Sequence, residues 1–173
     1  MREHAAASDA ARMLHHWIEA VPHDRLAHLA KDATRAFVRA LSVRLERHDV
    51  SFGHWTFLRI LWEHDGLTQR ELSLEAGVME PTTFQAVSAM EARGYVVREH
   101  RPGNRKNVYV NLTAQGRALK RRLVPLAEEV NRLGLAGIAG ADIATTRNVL
   151  IAIIANLARE AAHDEGGTPR SHA

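Results

Sequence analysis

Residues 67–96 have the sequence LTQRELSLEAGVMEPTTFQAVSAMEARGYV, and this segment contains the signals from which the fold is predicted. Near its start, Thr68 and Glu71 have the spacing of a capping box, in which each side chain accepts a hydrogen bond from the backbone N–H of the other residue. This spacing predicts a short helix that begins after Thr68 and ends near Ala76. Gly77 then favours the left-handed conformation that commonly ends a helix.

A second helix is predicted in the same stretch. Pro81 fits its first turn, because the N–H that proline lacks would have no partner within the helix there. We expect this helix to run to about Arg93 and to end at Gly94. Two short helices joined by a Gly-containing turn are typical of a helix-turn-helix, which commonly places its second helix in the major groove of DNA.

A basic β-hairpin is predicted directly after the two helices. The runs YVVREH and NVYVNL are rich in β-forming residues, and RPGNRK between them contains Pro102 and Gly103, which mark a turn. Residues 98–106 carry four Lys or Arg residues against one acid, Glu99. A basic hairpin beside the second helix is suited to contact DNA phosphates. The pattern as a whole predicts a winged helix.

Further helices are predicted on both sides of the winged helix. Apolar residues recur at roughly heptad spacing in residues 24–48 and again in residues 142–163, beyond what a small domain needs for its own core. Ser51 and Thr113 are the expected caps of the helices next to the winged helix. The predicted fold class is therefore mainly α-helical with a small β-wing.

Length and composition fit a single soluble protein. The 173 residues are 46% hydrophobic and 25% charged, and the formal net charge is only +3, so any basic surface is local. The chain has no cysteine, which excludes disulfides, thiolate metal sites and thiol redox chemistry. Its start lacks the pattern of a signal peptide, and the longest apolar run, Val149 to Ala155, is too short to span a bilayer. We therefore expect a cytoplasmic protein without a membrane partner or a cofactor.

Four motifs carry a resemblance to a known family. GLTQRELS, EPTT, MEARGYVVR and VYVNLTAQG occur in the order and spacing of the MarR family of dimeric winged-helix transcription regulators, and the likeness covers roughly residues 26–157. By this resemblance, the first and last two helices interlock into a homodimer that binds a pseudo-palindromic site on double-stranded DNA. Small ligands, often aromatic acids, bind between the dimer region and the winged helix in the family and weaken DNA binding. The resemblance thus implies a regulator, most often a repressor, and not an enzyme.

The sequence pattern and the resemblance together divide the chain into regions. We expect an N-terminal helical arm at residues 1–23 and a disordered tail at residues 165–173. Residues 24–65 and 113–164 form the helical dimerisation region, which is built from both chain ends. Residues 66–112 form the winged helix-turn-helix that binds DNA.

The sequence departs from the family pattern in the wing. The family often has an Asp-x-Arg pattern just before the second wing strand, and Asn104, Arg105 and Lys106 stand at the matching positions here. The acid–base pair that commonly stiffens the wing is therefore absent, whereas the positive charge of the hairpin tip is retained.

The second helix of the helix-turn-helix has two faces on a helical wheel. The residues expected to pack on the domain are Thr83, Ala86, Val87 and Met90. Gln85 lies at the centre of the opposite face and can pair with adenine N6 and N7. Phe84 beside it is suited to touch a thymine methyl group. A half-buried packing role within the protein suits this side chain at least as well. Thr83 remains a DNA candidate only through the family-like EPTT.

The candidates for DNA contact extend beyond this helix to the preceding helix and the wing. The full set is Gln69, Arg70, Pro81, Thr82, Thr83, Gln85, Ser88, Arg101, Asn104, Arg105 and Lys106. Gln69 and Arg70 can reach the DNA backbone beside a helix N-terminus. The alternative for each polar residue taken singly is an ordinary solvated surface.

Aromatic residues and one arginine are candidates for a ligand pocket near the junction of the dimer region and the winged helix. The set is His16, Trp17, His54, Trp55, Arg59 and Trp62. An arginine among aromatic rings suits a small planar carboxylate, through charge-assisted hydrogen bonds and stacking. The alternative for each residue alone is a core aromatic or a surface arginine, and the resemblance is what favours the pocket.

Two other functional classes are disfavoured. The eleven histidines include no pair at the i, i+4 spacing of a helical zinc site, so no metal is expected. Glu63, His64 and Asp65 are consecutive and cannot converge on one substrate atom, and the chain has neither a phosphate-cradling Gly-rich loop nor a nucleophile elbow. The remaining alternatives are a ligand-independent or metal-sensing DNA-binding regulator and a winged helix that serves as a protein-interaction module.

Overall fold

The computed structural model describes residues 26–166 and confirms a mainly helical chain with a small antiparallel sheet. Its elements are α1 (Leu26–Leu45), a 3-10 helix (Glu46–His48), α2 (Phe52–Glu63), β1 (Leu67–Thr68), α3 (Gln69–Ala76), α4 (Glu80–Ala92), β2 (Val96–Arg101), β3 (Asn104–Leu112), α5 (Ala114–Gly134) and α6 (Gly140–Gly166). The predicted arm at residues 1–23 and residues 167–173 of the predicted tail lie outside the described residues. The chain divides into two compact units between Asn131 and Arg132.

The predicted capping signals are present at the starts of α2 and α3. Ser51 Oγ accepts a hydrogen bond from the backbone N–H of His54 at 3.1 Å. The capping box is complete, because Thr68 Oγ1 accepts from Glu71 N at 3.2 Å and Glu71 Oε2 accepts from Thr68 N at 2.8 Å. The backbone hydrogen bond from Thr68 lowers the pKa of Glu71. Gly77 is left-handed with φ of 64° and ends α3, so the two predicted helices of the helix-turn-helix are α3 and α4.

The sheet has three antiparallel strands in the order β1-β3-β2. Strands β2 and β3 form the predicted hairpin, with Val96 opposite Leu112. The sequence pattern does not reveal β1, since two residues are too few to show the alternation of a strand. Strand β1 pairs with β3, with Leu67 opposite Val110, and therefore ties the start of α3 to the base of the wing.

The hairpin turn is shorter than the sequence predicts. The predicted turn covers residues 101–106, but only Pro102 and Gly103 lie between the strands, and Arg101 is opposite Asn104. Gly103 has φ of 79°, which glycine adopts without the steric penalty of a β-carbon, so two residues are enough to reverse the chain. Residues 104–106 therefore belong to strand β3 and not to the turn.

A single core holds the first unit together. Its fully buried side chains come from every helix from α1 to α5, from both long strands and from the segment before α2. They are Leu45, Val50, Leu58, Leu61, Leu72, Thr83, Val87, Met90, Val96, Val110 and Leu123. Of the four residues on the side of α4 that the helical wheel predicts to pack, Thr83, Val87 and Met90 are completely buried and Ala86 is half-buried. The helix-turn-helix is therefore held at a defined angle by packing against the flanking helices.

The second unit, residues 132–166, buries little of its apolar surface. Helix α6 has apolar side chains along its length, and those that are exposed by 41–68% are Val149, Leu150, Ile151, Ile154 and Leu157. Within residues 132–163, no side chain is buried, and only Leu135, Ile143 and Ile153 are even half-buried. This helix is incomplete as a packing element in a single chain.

Helix α6 also bears on the expectation that no segment could span a membrane. That expectation considers only uninterrupted apolar runs, whereas Gly140–His163 as a whole is long and apolar enough to cross a bilayer, by length and composition alone. The same two properties belong to a helix whose apolar side is covered by another protein surface.

Candidate nucleic-acid interface

Helix α4 presents one buried and one open side. Pro81, Thr82, Phe84 and Gln85 are exposed and Ser88 is half-buried, on the side that the helical wheel assigns to DNA. A helix that is anchored by its apolar side and carries amide and hydroxyl groups on its open side has the form that reads base edges in a major groove.

Thr83 is a correction to the predicted interface. Its side chain is 0% exposed, and its hydroxyl lies 2.7 Å from that of Ser73 on α3. Ser73 in turn donates a hydrogen bond to the carbonyl of Gln69 at 2.8 Å. Thr83 therefore joins α4 to α3 inside the protein, because its helical position faces the core, and it is not available to DNA.

The start of α3 offers a further cation near the open side of the helix-turn-helix. Arg70 is exposed in the first turn, where the N–H groups at the N-terminus of a helix favour an anion. Gln69 is half-buried beside it. Arg70 thus has the position expected for a contact with a DNA phosphate.

The wing is braced by Arg101, which the sequence assigned to DNA contact. Its Nη2 donates a hydrogen bond to the Gly66 carbonyl at 2.9 Å, and its Cζ lies 3.8 Å from the centroid of the Tyr109 ring. The guanidinium is therefore folded back onto the base of the sheet, next to the start of α3. This contact ties the wing to the residue before β1.

The other wing candidates are described in part. Lys106 is exposed on β3, where its ammonium is open to an anion. The side chains of Asn104 and Arg105 lie outside the described part of the chain. Their backbone belongs to β3, with Asn104 opposite Arg101.

A clamp between β2 and α4 is not apparent from the sequence. Arg98 donates to Glu91 Oε2 through Nε at 2.9 Å and through Nη2 at 2.6 Å, and its backbone N–H donates to Glu91 Oε1 at 3.0 Å. The hydrogen bonds from Arg98 lower the pKa of Glu91. The Arg98 Cζ also lies 5.4 Å from the centroid of the exposed Phe84 ring. The sequence predicts only that Arg98 adds positive charge to the wing, because its contact with Glu91 depends on how β2 lies against α4.

A separate cleft of about 640 Å³ lies between α1, α2 and α5. Most of its wall is apolar, and Trp55 and Arg59 of the predicted pocket set are among its lining residues. Glu63 on the wall is paired with Lys120, at 3.3 Å between Oε1 and Nζ. Arg59 is exposed and has no hydrogen bond or ion pair with another described residue. The cleft therefore offers a guanidinium beside an indole ring.

The other predicted pocket residues do not line this cleft. Trp62 donates its indole N–H to the Gly116 carbonyl at 3.0 Å and lies edge-on to Trp55, with 5.6 Å between ring centroids. His54 is 8% exposed, and its Nδ1 has no hydrogen-bond partner within the described part of the chain. Both are packing residues, because they lie on the core side of α2. His16 and Trp17 lie outside the described residues.

His54 has an altered protonation equilibrium. Burial lowers the pKa of the imidazole, because the charged form loses its hydration, and the positive charge of Arg93 lowers it further. Within residues 26–166, no group of three or more His, Asp or Glu side chains is arranged to hold a metal ion.

The comparisons with known proteins agree with this geometry. The model of the MarR family matches residues 50–108. The homoprotocatechuate degradative operon repressor of Escherichia coli is 27% identical over 103 residues, which are 60% of this chain and 68% of that protein. The transcriptional regulator PA3341, a solved structure, is 30% identical, with a TM-score of 0.69 over 77% of this chain and 98% of that one.

A second solved structure shares the fold. It is a MarR family transcriptional regulator from Listeria monocytogenes in complex with a 26mer DNA, with a TM-score of 0.71 and 20% identity over 85% of this chain and 98% of that one. These proteins are regulators of transcription, which points away from an enzymatic role for this chain.

Proposed function

The chain belongs to the MarR family of DNA-binding transcriptional regulators, and on this premise we propose that it is a cytoplasmic homodimer that represses transcription from a pseudo-palindromic operator. The observation that carries the proposal is the orientation of α4, whose side chains Val87 and Met90 are buried in the core while Thr82 and Gln85 are exposed. The proposal of repression is supported by the repressor from Escherichia coli to which the chain is similar.

We assign base reading to α4 and backbone contact to α3 and the wing. The amide of Gln85 can form two hydrogen bonds with one adenine, and Thr82 and Ser88 can donate or accept at a base or a phosphate. Pro81 lies at the helix start, close to where α4 would enter the groove. The residues proposed to hold the DNA backbone are Arg70, Asn104, Arg105 and Lys106, because contacts with phosphates fix the position of a protein on the duplex without reading its sequence.

The dimer is proposed to form through the helices of both chain ends, within residues 24–65 and 113–164. Helix α1 exposes Leu26 by 57%, Leu29 by 43% and Phe37 by 37%, and α6 exposes a longer apolar stripe. Apolar stripes of this length are covered in stable proteins, and a second copy of the same chain would cover both at once. Two-fold symmetry then places two half-sites about one helical turn, roughly 10 bp, apart.

The base-reading role of α4 is tested with Gln85→Ala on a DNA duplex selected from a random pool. We expect a loss of about 1–3 kcal/mol of binding free energy and a relaxed preference at one base position per half-site. Gln115→Ala is the matched control, because Gln115 is an exposed glutamine on α5. Equal affinities for the two variants would contradict base reading by Gln85, and failure of the wild-type chain to bind any DNA would favour a protein-interaction module.

A small aromatic carboxylate is proposed as the ligand that releases the repressor. The cleft between α1, α2 and α5 has the volume for one, and Arg59 beside Trp55 offers a charge-assisted hydrogen bond and a stacking surface. The similar repressor from Escherichia coli controls a homoprotocatechuate degradative operon, and homoprotocatechuate is an aromatic acid. Release requires that the ligand bind the DNA-free conformation more tightly, so DNA must weaken ligand binding by the same factor.

This ligand proposal is tested with a panel of benzoate- and phenylacetate-like acids. At least one acid is expected to raise the melting temperature of the free protein and to weaken DNA binding. Arg59→Ala should abolish both effects, whereas Arg39→Ala, an exposed arginine of α1 that does not line the cleft, should not. If no acid changes either quantity, the regulator is ligand-independent or senses a different chemistry.

A further inference from the structure

Phe84 is an exposed aromatic ring on the side of α4 that faces away from the core. Its side chain is 54% exposed, whereas Thr83, the preceding residue, is 0% exposed. Glu91 follows Phe84 by seven positions, which is about two turns, so the two lie on nearly the same side of the helix. Gln85 is offset from Phe84 by about 100° around the helix, which makes the ring a border of the proposed reading surface.

The ring of Phe84 has a fixed support on one side. The Arg98 guanidinium is held by two hydrogen bonds to Glu91 Oε2, at 2.9 and 2.6 Å, and the backbone of Arg98 donates to the other carboxylate oxygen at 3.0 Å. Both charged side chains are largely covered, with 26% of Arg98 and 34% of Glu91 exposed. A guanidinium held in this way keeps its place beside the ring, 5.4 Å from the centroid, and leaves the rest of the ring open.

The chemistry of the ring limits what it can recognise in a major groove. A phenyl group has no hydrogen-bond donor or acceptor, so it cannot read the polar edges of the bases. The C5 methyl group of thymine is the apolar group that a major groove presents, and it is absent from the other three bases. A contact with phosphate is also unsuited to the ring, and the charge of Arg98 is already paired with Glu91.

We propose that Phe84 is a base-reading residue that packs against the methyl group of one thymine in each half-site, and that Arg98 and Glu91 are positioning residues for its ring. The proposal rests on the proposed function, because it needs α4 in the major groove. Gln85 is suited to adenine and Phe84 to thymine, so the reading surface of α4 selects A·T pairs at neighbouring positions.

The experiment replaces each thymine of a selected operator, one position at a time and symmetrically in both half-sites, by deoxyuridine. This change removes the methyl group and keeps every hydrogen-bonding atom. At one position we expect the wild-type affinity to fall about fourfold per half-site, the factor that corresponds to one buried methyl group. In Phe84→Ala the penalty at that position should disappear, and in Phe84→Leu a part of it should remain. Deoxyuridine that changes the wild-type affinity less than twofold at every position would overturn the proposal.

The positioning role is tested with Arg98→Lys, which keeps the charge but removes the guanidinium that makes the paired hydrogen bonds to Glu91 and lies beside the Phe84 ring. We expect a smaller deoxyuridine penalty at the same position and an unchanged salt dependence of binding. Arg93→Lys is the control, because Arg93 is exposed at the end of α4 and, among the described residues, donates only to the Ala89 carbonyl. A full penalty in both Phe84→Ala and Arg98→Lys would show that another residue reads the methyl group. Absence of any selected DNA would instead remove the proposed function itself.

Discussion

The winged helix and helix α6 differ in how completely a single chain buries their apolar side chains. In the winged helix, Leu72, Val87, Met90 and Val110 are 0% exposed, although they come from three different elements. In α6, Ile154 is 68% exposed and Leu157 is 66% exposed. The winged helix therefore buries its apolar core within one chain, whereas α6 needs a second protein surface to cover its apolar side chains.

The largest expected effect comes from breaking the apolar side of α6. Ile154→Asp together with Leu157→Asp places two carboxylates in the proposed dimer contact, and burial of a charge without a partner is strongly unfavourable. We expect a monomer in sedimentation at micromolar concentration and a loss of DNA affinity of about 100- to 10,000-fold, because each half-site is then bound alone.

The control for this change is Asn148→Asp. Asn148 lies on the opposite side of α6, roughly 140° away from the Leu150 and Ile154 stripe by helical geometry, and it is exposed. It adds one carboxylate to the same helix without entering the stripe. A wild-type chain that sediments as a stable monomer would contradict the assignment of α6 to a dimer contact.

The next largest effect is expected on stability, where two leucines of α3 differ in burial. Leu72 is 0% exposed and Leu74, two residues later, is 73% exposed. Leu72→Ala should lower the free energy of unfolding by about 2–5 kcal/mol, since it leaves a cavity in the core. Leu74→Ala should change it by less than about 0.5 kcal/mol, as surface substitutions commonly do. Similar losses in urea unfolding of the two variants would contradict a sealed winged helix.

We expect Arg101 and Arg105 of the wing to act on DNA binding in different ways. Arg105→Ala should flatten the slope of log affinity against log salt by roughly one unit per subunit, because one phosphate contact is lost. Arg101→Ala should weaken binding and stability through loss of its contacts with Gly66 and Tyr109, while the slope stays unchanged. Binding titrations over a salt series distinguish the two cases. A flatter slope for Arg101→Ala would assign that residue to phosphate contact after all.

The smallest expected effect concerns His54 and the acid side of the stability profile. Because burial lowers the pKa of His54 in the folded protein, the unfolded chain binds a proton first as the pH falls below about 6.5. Stability is therefore fully present above this pH and decreases as the pH falls toward the folded pKa, by at most about 1.4 kcal/mol per pH unit. His54→Leu should reduce this slope in thermal unfolding at pH 5.5 and 7.5, and His28→Gln, an exposed histidine of α1, should not.

The helix-turn-helix could be predicted from sequence because its signals are local. The Thr68 and Glu71 capping box, the left-handed Gly77 and the position of Pro81 each act within one turn of helix, and the structure contains all three. The packed side of α4 also followed from helical periodicity alone. Thr83 is the exception, because the EPTT motif predicts a contact with DNA whereas helical periodicity places the residue in the core, where it lies.

The features that sequence reasoning missed depend on contacts between distant elements. Strand β1 exists because Leu67 meets Val110 on β3, and two residues have no periodicity of their own. Arg98 and Arg101 both looked like free wing charge, yet each is engaged by a group from another part of the chain. Their partners could not be identified before the paths of β2 and β3 against α3 and α4 were known.

Selection of bound duplexes from a random pool tests most directly the central claim that two copies of the winged helix bind DNA together. In that complex, each copy reads DNA through α4 and the terminal helices join the two copies. Sequencing of the selected pool should show two inverted half-sites about one helical turn, roughly 10 bp, apart, with a shared preference for A·T pairs. A selected motif that consists of one half-site, or a pool without any enriched sequence, would contradict the claim.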